Sequence, residues 1–326
     1  MGRCTAIIDP ACAGHDNPAH PESHARLLSA IAKIPAGVAR MVPEPATPED
    51  VLRIHDLSYT GHLRQRCAET MVLTYLDSDT YITPRSYDAA LHAAGGAIAA
   101  VNRSLDGDHA FALIRPPGHH AERARAMGFC LLNNAAIAAE QALKSVDRVA
   151  IVDWDVHHGN GTQHAFYGTN RVLYCSVHQE YYFPYTGSVE EIGTGYGKGY
   201  TVNAPLEPGC TGVDLSLVFS AVFLPVLDRF RPDALIVSAG QDILFDDPLG
   251  GMNVRPEDIG LLTSLLLQAG RPLALVMEGG YGPSHGDAVS HIFSALKHPH
   301  DERSQNAPKT STRKLVDLLK KVHRVP

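Results

Sequence analysis

Five short apolar runs punctuate the chain, at residues 110–114, 149–152, 172–177, 234–237 and 273–277. Each is continuous rather than alternating, as in strands of a parallel sheet covered on both faces. Segments 87–104, 134–144, 215–230 and 256–269 carry apolar positions at helical spacing over helical lengths. The alternation predicts an α/β sandwich with right-handed crossovers. In open α/β sheets ligands sit outside the carboxyl ends of the strands. The stretches after the five runs, starting at Arg115, Asp153, Ser176, Ser238 and Glu278, are rich in Gly, His, Asp and Pro and should converge on one site.

Composition narrows the class. Of 326 residues, 44% are hydrophobic and only 19% charged, so the chain holds a sizeable core and is not disordered. A net charge of −7 argues against a nucleic-acid-binding face, which needs a basic surface. No stretch approaches the ~18 uninterrupted apolar residues of a membrane span. The opening MGRCTAIIDPACAG has a short apolar run broken by Asp9 and Pro10, unlike a secretory signal, and Ala6 stands where a myristoylation motif wants Ser or Thr. The six cysteines show no paired spacing, which reads as reduced, buried thiols in a cytoplasmic protein. The last segment differs: from residue 298 to 326 there are seven basic and three acidic side chains. It divides from the body (1–297) as a basic linker and an amphipathic helix over 312–322, packed on the body in preference to a partner-binding tail.

The strongest chemical signal is DWDVHHGNG at 153–161. Asp155 and His157 are two apart, which in extended chain puts both side chains on one side. A carboxylate and an imidazole so placed form two-thirds of a catalytic zinc site, which uses three protein ligands and leaves a position for water. Asp242, following the run 234–237, is the favoured third ligand, while Asp246 and Asp247 read as turn residues. Gly159 and Gly161 are expected to let the backbone turn sharply. His119 and His120, in RPPGHHA, suit a proton-transfer pair, with metal ligation and a structural pair as competing readings. Asp153 and Asn160 are available to fix their tautomers; an Asp-backed histidine is the more basic of two. Tyr281, in a Gly-rich turn, could donate to a developing oxyanion. Phe129 and Phe183 could wall a narrow apolar channel.

In this order, RPPGHHA, GFCLLNN, DWDVHHGNGTQ, SVHQ, SAGQD and GGYG resemble the zinc-dependent histone deacetylase family, and HDNPAHPESHARL at 15–27 resembles its opening segment. The likeness runs from about residue 6 to 296, and Asn160 with DPLGG at 247–251 is more similar to the class II branch and its bacterial and archaeal relatives. It implies the arginase-deacetylase fold, a three-layer αβα sandwich around a parallel eight-stranded sheet. It implies zinc on Asp155, His157 and Asp242, with His119 and His120 as acid/base pair backed by Asp153 and Asn160. It implies Tyr281 as carbonyl polariser, Gly128 as a substrate amide contact, Phe129 and Phe183 as channel walls and Asp79 as a rim aspartate. One potassium ion maps to Asp153, Asp155, His157, Ser176 and Val177, and a second to Phe166, Thr169, Val172 and Tyr200.

The activity so implied is metal-activated hydrolysis of acetyl, or another short acyl group, from acyl-lysine side chains. Three other readings compete with it. A two-manganese ureohydrolase needs acidic ligands missing at Asn160 and in 238–242; a non-enzymatic module would not need the full residue set. An acetylpolyamine or other small acetyl-amide deacetylase keeps the chemistry, but polyamine-selective members place an acid where this chain has Leu249.

Overall fold

A computed structural model describes residues 3–300 and 306–326; Met1, Gly2 and linker residues 301–305 lie outside the described residues. The strands are β1 (Cys4–Ile8), β2 (Ala39–Met41), β3 (Thr74–Tyr75), β4 (Tyr81–Ile82), β5 (His109–Leu113), β6 (Val149–Asp153), β7 (Val172–Gln179), β8 (Thr201–Leu206), β9 (Ala234–Ala239) and β10 (Leu273–Met277). β3 and β4 form a separate antiparallel pair. The other eight make one parallel sheet, ordered β2-β1-β5-β10-β9-β6-β7-β8. This is the eight-stranded parallel sandwich expected above.

The five strands predicted from apolar runs are β5, β6, β7, β9 and β10, which are consecutive across the sheet centre. Every residue of β6, β7, β9 and β10 is buried, because helices cover both faces. β2 is three exposed residues, and β8 is an edge strand carrying Asn203 and Pro205; a proline is tolerated there because an edge leaves its missing N–H unneeded.

The helices are α1 (His24–Ala32), α2 (Pro48–Leu52), α3 (Leu57–Glu69), α4 (Ser86–Leu105), α5 (Asn134–Ala142), α6 (Asn160–Phe166), α7 (Gly212–Val218), α8 (Leu224–Phe230), α9 (Pro256–Leu267), α10 (His285–Lys297) and α11 (Thr310–His323). The single helix expected over 215–230 is instead α7 and α8 joined by a π-helical stretch, Phe219–Phe223. Pro225 is the cause: it lacks an N–H and its ring crowds the carbonyl one turn back, so the ladder is wound wider there. No helix among the described residues is long and apolar enough to cross a membrane.

α11 lies against the body. Leu319 and Val316 are buried, Thr312 donates to Asp214 Oδ1 at 2.8 Å, and the Lys309 N–H donates to the same oxygen at 2.7 Å. All six cysteines are buried and unpaired.

Candidate active site

The loops beyond β5, β10, β9, β6 and β7 meet over the middle of the sheet. Asp155 and His157 converge, but not by strand alternation. β6 ends at Asp153, and the chain then bends so that Asp155 Oδ1 accepts the His157 N–H at 3.0 Å. Asp242, beyond β9, accepts the Val156 N–H on Oδ1 at 2.8 Å. His157 Nδ1 then sits 3.0 Å from Asp155 Oδ1 and 3.1 Å from Asp242 Oδ2. The three ligand atoms lie within 4.8 Å of one another. Both carboxylates are fully buried. Burial and the neighbouring Asp155 charge push Asp242 up to about 8. Burial works against a charge on His157, yet the two carboxylates hold it up to about 9. Two buried carboxylates and an imidazole converging on one space are a donor set that could hold a divalent cation.

Gly159 serves this loop differently from the turn expected of it. Its φ is −76°, open to any residue, but a Cβ there would overlap Asp153 Oδ2 and press on His119 Nδ1. Glycine is required by close approach, as it is at Gly161, where a Cβ would strike the Ala121 carbonyl.

The histidine pair is asymmetric. His119 Nδ1 lies 3.1 Å from Asp153 Oδ2, which also accepts from the Tyr174 hydroxyl at 3.0 Å. Burial disfavours charge on His119, but Asp155 and Asp153 outweigh it and raise the ring to about 10. His120 Nδ1 lies 2.8 Å from Asn160 Oδ1. Asn160 Nδ2 donates to Glu122 Oε1 at 2.5 Å, which fixes the amide so that its oxygen faces His120. His120 therefore carries its proton on Nδ1 and presents a bare Nε2. Burial and the adjacent His119 and His157 keep it well below the ordinary imidazole value.

Tyr281 joins these groups. Its ring packs edge-on to Phe129 at 5.7 Å, with the Arg26 guanidinium 5.0 Å from its centroid. Burial holds the phenol well above its usual value, so the hydroxyl stays a donor. A cavity of ≈200 Å³ is bounded by the metal-ligand trio, both histidines and Tyr281, and walled by Gly128, Phe129 and Phe183. Asp79 and Leu249, both half-buried, line it too, as does Tyr182, stacked on His157 at 5.4 Å.

The residues mapped to potassium are placed in two groups. Asp153 and Ser176 are register partners between β6 and β7, with Val177 next along and Asp155 and His157 in the adjoining bend. Phe166, Thr169, Val172 and Tyr200 lie around the start of β7: the Thr169 N–H donates to the Phe166 carbonyl at 3.2 Å and the Tyr174 N–H to that of Tyr200 at 2.9 Å.

Three positioning residues were not singled out from the sequence. Glu278 is fully buried; its Oε2 accepts the Gly118 N–H at 2.7 Å and the His119 N–H at 3.2 Å, clamping the histidine loop to β10. Glu122 orients Asn160. Asp247, read as a turn residue, does accept the Leu249 N–H at 2.9 Å, but its other oxygen also accepts Tyr281 and Gly282 N–H at 2.6 and 2.9 Å. An acid directly after a buried strand, as Glu278 is, was the available signal. Asp247→Ala should free the Tyr281 turn and lower kcat by ~10- to 100-fold, the cost of a small misplacement. Metal content, read by elemental analysis, should stay at wild type.

A buried acid–imidazole–acid trio flooring a narrow aromatic cavity, on a parallel αβα sandwich, defines a hydrolase class. The chain belongs to the histone deacetylase family: residues 18–296 match the family's "Histone deacetylase domain". It is 38% identical over 314 residues to a "Histone deacetylase-like amidohydrolase" of Pseudomonas aeruginosa, covering 90% of this chain and 81% of that one. It is 40% identical over 281 residues to a "Probable deacetylase" of Archaeoglobus fulgidus, covering 81% and 77%. The solved HDA15 HD domain superposes with a TM-score of 0.92 at 32% identity, over 99% of this chain and 94% of that chain. The protein is thus a deacetylase-family amidohydrolase on the arginase-deacetylase fold.

Proposed function

We propose that the protein is a zinc-dependent deacylase that removes acetyl groups from acyl-lysine side chains. The observation that carries this is the ≈200 Å³ cavity, walled by Phe129 and Phe183 and floored by Asp155, His157 and Asp242. A slot with two aromatic sides fits an extended aliphatic stem and leaves an acyl amide at the floor. Zinc, when held by those three side chains, lowers the pKa of a bound water towards ~7 and polarises a carbonyl. The bare Nε2 of His120 is placed to accept the water proton. His119, kept charged by Asp155 and Asp153, supplies positive charge beside the reacting centre and can give a proton to the leaving amine. The Tyr281 hydroxyl donates to the oxyanion as it forms. We place potassium on the two backbone-rich groups described above as structural ions.

Two measurements test this reading. Dialysis against a chelator should abolish turnover, and zinc at one equivalent per chain should restore it; full activity in metal-free protein would overturn the assignment. The zinc-loaded enzyme should show a higher kcat/KM on an acetyl-lysyl peptide than on N-acetylputrescine. Leu249, half-buried in the cavity lining, supplies no charge to hold a second ammonium group. Leu249→Glu should accordingly shift the ratio towards N-acetylputrescine by about tenfold, what one charge-assisted contact of ~1.4 kcal/mol supplies. An unshifted ratio would show that the slot's length, rather than this position, selects the substrate.

A further inference from the structure

A second and larger cavity, ≈790 Å³, opens at the other end of the sheet, where β6, β7 and β8 begin and α11 closes over them. The active-site loops leave the opposite strand ends, so the two cavities share no residue. Five cationic side chains border the larger one: Arg148, Arg171, Lys198, Arg229 and Arg324. Among the described residues, Asp147 is the one acid in the lining. Among the described residues, none of the five cations forms an ion pair with a carboxylate. On a chain with net charge −7, so many unpaired cations on one concave face is an unusual concentration.

Two of the five are held by the backbone. Arg171 donates to the carbonyls of Leu143, Val146 and Asp147, and Arg229 to those of His323 and Arg324. The Arg148 guanidinium lies over the Phe230 ring, 5.8 Å from its centroid, and Tyr200 packs edge-on to the same ring at 5.7 Å. Leu173, Val226 and Val322 continue this apolar wall.

His323 is an independent pointer. It is only 4% exposed and lines the cavity, and among the described residues its Nε2 has no hydrogen-bond partner. Leaving a buried polar atom without a partner is costly, so such atoms usually have one. Burial and the nearby Arg229 hold this imidazole down to about 4, so it is neutral at pH 7 and can exchange a hydrogen bond with a bound molecule.

We propose that this cavity binds a nucleoside polyphosphate, with the phosphates between Lys198 and Arg324, the base against Tyr200 and the Arg148 guanidinium that covers Phe230, and His323 Nε2 hydrogen-bonded to the ligand. Arginine forks match phosphate oxygens, a guanidinium over a ring extends the stacking surface, and the volume falls in the range of small-molecule sites. The inorganic chain alone would use the charges but not the aromatic wall or the buried imidazole.

Isothermal titration calorimetry of this 326-residue chain with ATP, inorganic tripolyphosphate and adenosine tests this. ATP should bind one site per chain with a Kd of ~10–100 μM, tripolyphosphate at least ~5-fold more weakly and adenosine more weakly still. Lys198→Glu and Arg324→Gly should each weaken ATP by ~5- to 10-fold while deacetylation of a peptide without ATP stays at wild type. Lys198 is exposed, and Arg324 has a φ of +53°, a conformation glycine adopts freely, so both variants should fold. Equal affinity for ATP and tripolyphosphate would overturn the nucleoside assignment. No ATP binding at ~1 mM, or binding indifferent to both substitutions, would overturn the site.

Discussion

Tyr281→Phe should lower kcat on an acetyl-lysyl peptide by ~10²–10³, the usual cost of deleting one oxyanion donor, with little change in KM. The substitution removes one oxygen and leaves the fold alone. The turn carrying it is held through backbone N–H groups by Asp247, and Phe129 and Arg26 contact the ring rather than the hydroxyl. Zinc content should therefore remain at one per chain. A phenol kept protonated by its surroundings has the hydrogen that an oxyanion needs; the phenyl ring has none. Steady-state kinetics with metal analysis on the same sample decides the point, and near-wild-type turnover would remove Tyr281 from the chemistry.

Glu22→Ala should be the most destabilising single change, by ~3–5 kcal/mol, because it strands a buried cation. Arg115, wholly inaccessible, opens the loop that carries the histidine pair. Its guanidinium donates to Glu22 Oε1 at 2.9 Å and Oε2 at 2.6 Å, to Tyr81 Oη at 2.9 Å and to the carbonyls of Cys12 and His15. Burial alone would push the Glu22 carboxyl up, but Arg115 overrides it and holds it well below the carboxylate range. Arg26 shares Glu22 Oε1 at 3.3 Å and reaches the carbonyls of Gly280 and Glu278. Denaturant midpoints for Glu22→Ala and for Glu22→Ala with Arg115→Met check this. The double variant should recover part of the loss, since it removes the cation most tightly paired with Glu22 and leaves only Arg26, still held by the Gly280 and Glu278 carbonyls, without a carboxylate. Equal midpoints for wild type and Glu22→Ala would refute the argument.

Much of this architecture was legible in the residues alone, and the reason is periodicity. The five central strands are covered on both faces, so they read as unbroken apolar runs, and the loops that follow them bring the reactive groups together. Strands β2 and β8 were not read from the pattern because edge strands need no apolar run, and β1 because Thr5 splits its short apolar stretch and Asp9 and Pro10 follow at once; the eight-strand total came from the resemblance. The break between α7 and α8 was missed because a proline inside an otherwise periodic stretch can end, kink or widen a helix, and spacing does not choose among these. Within the site, groups on consecutive loops were easy to propose, whereas the clamps were not. Glu22 and Arg115 are 93 residues apart, and Glu278 and Gly118 are 160 apart. Nothing local marks such pairs, so their roles surface only when the chain is folded. The glycines at 159 and 161 show the same limit: their presence was notable, but crowding against Asp153 and Ala121, not backbone freedom, is what demands them.

The six unpaired cysteines turn the folded chain into its own clock. Burial pushes Cys12 up to about 12 and Cys67 and Cys210 up to about 11, so at neutral pH almost no thiolate exists to attack an alkylating reagent, and none of the six is exposed to meet one. Modification must wait for local or global opening. The order in which iodoacetamide marks Cys4, Cys12, Cys67, Cys130, Cys175 and Cys210 would then rank how often each part of the molecule breathes, with no label engineered into it.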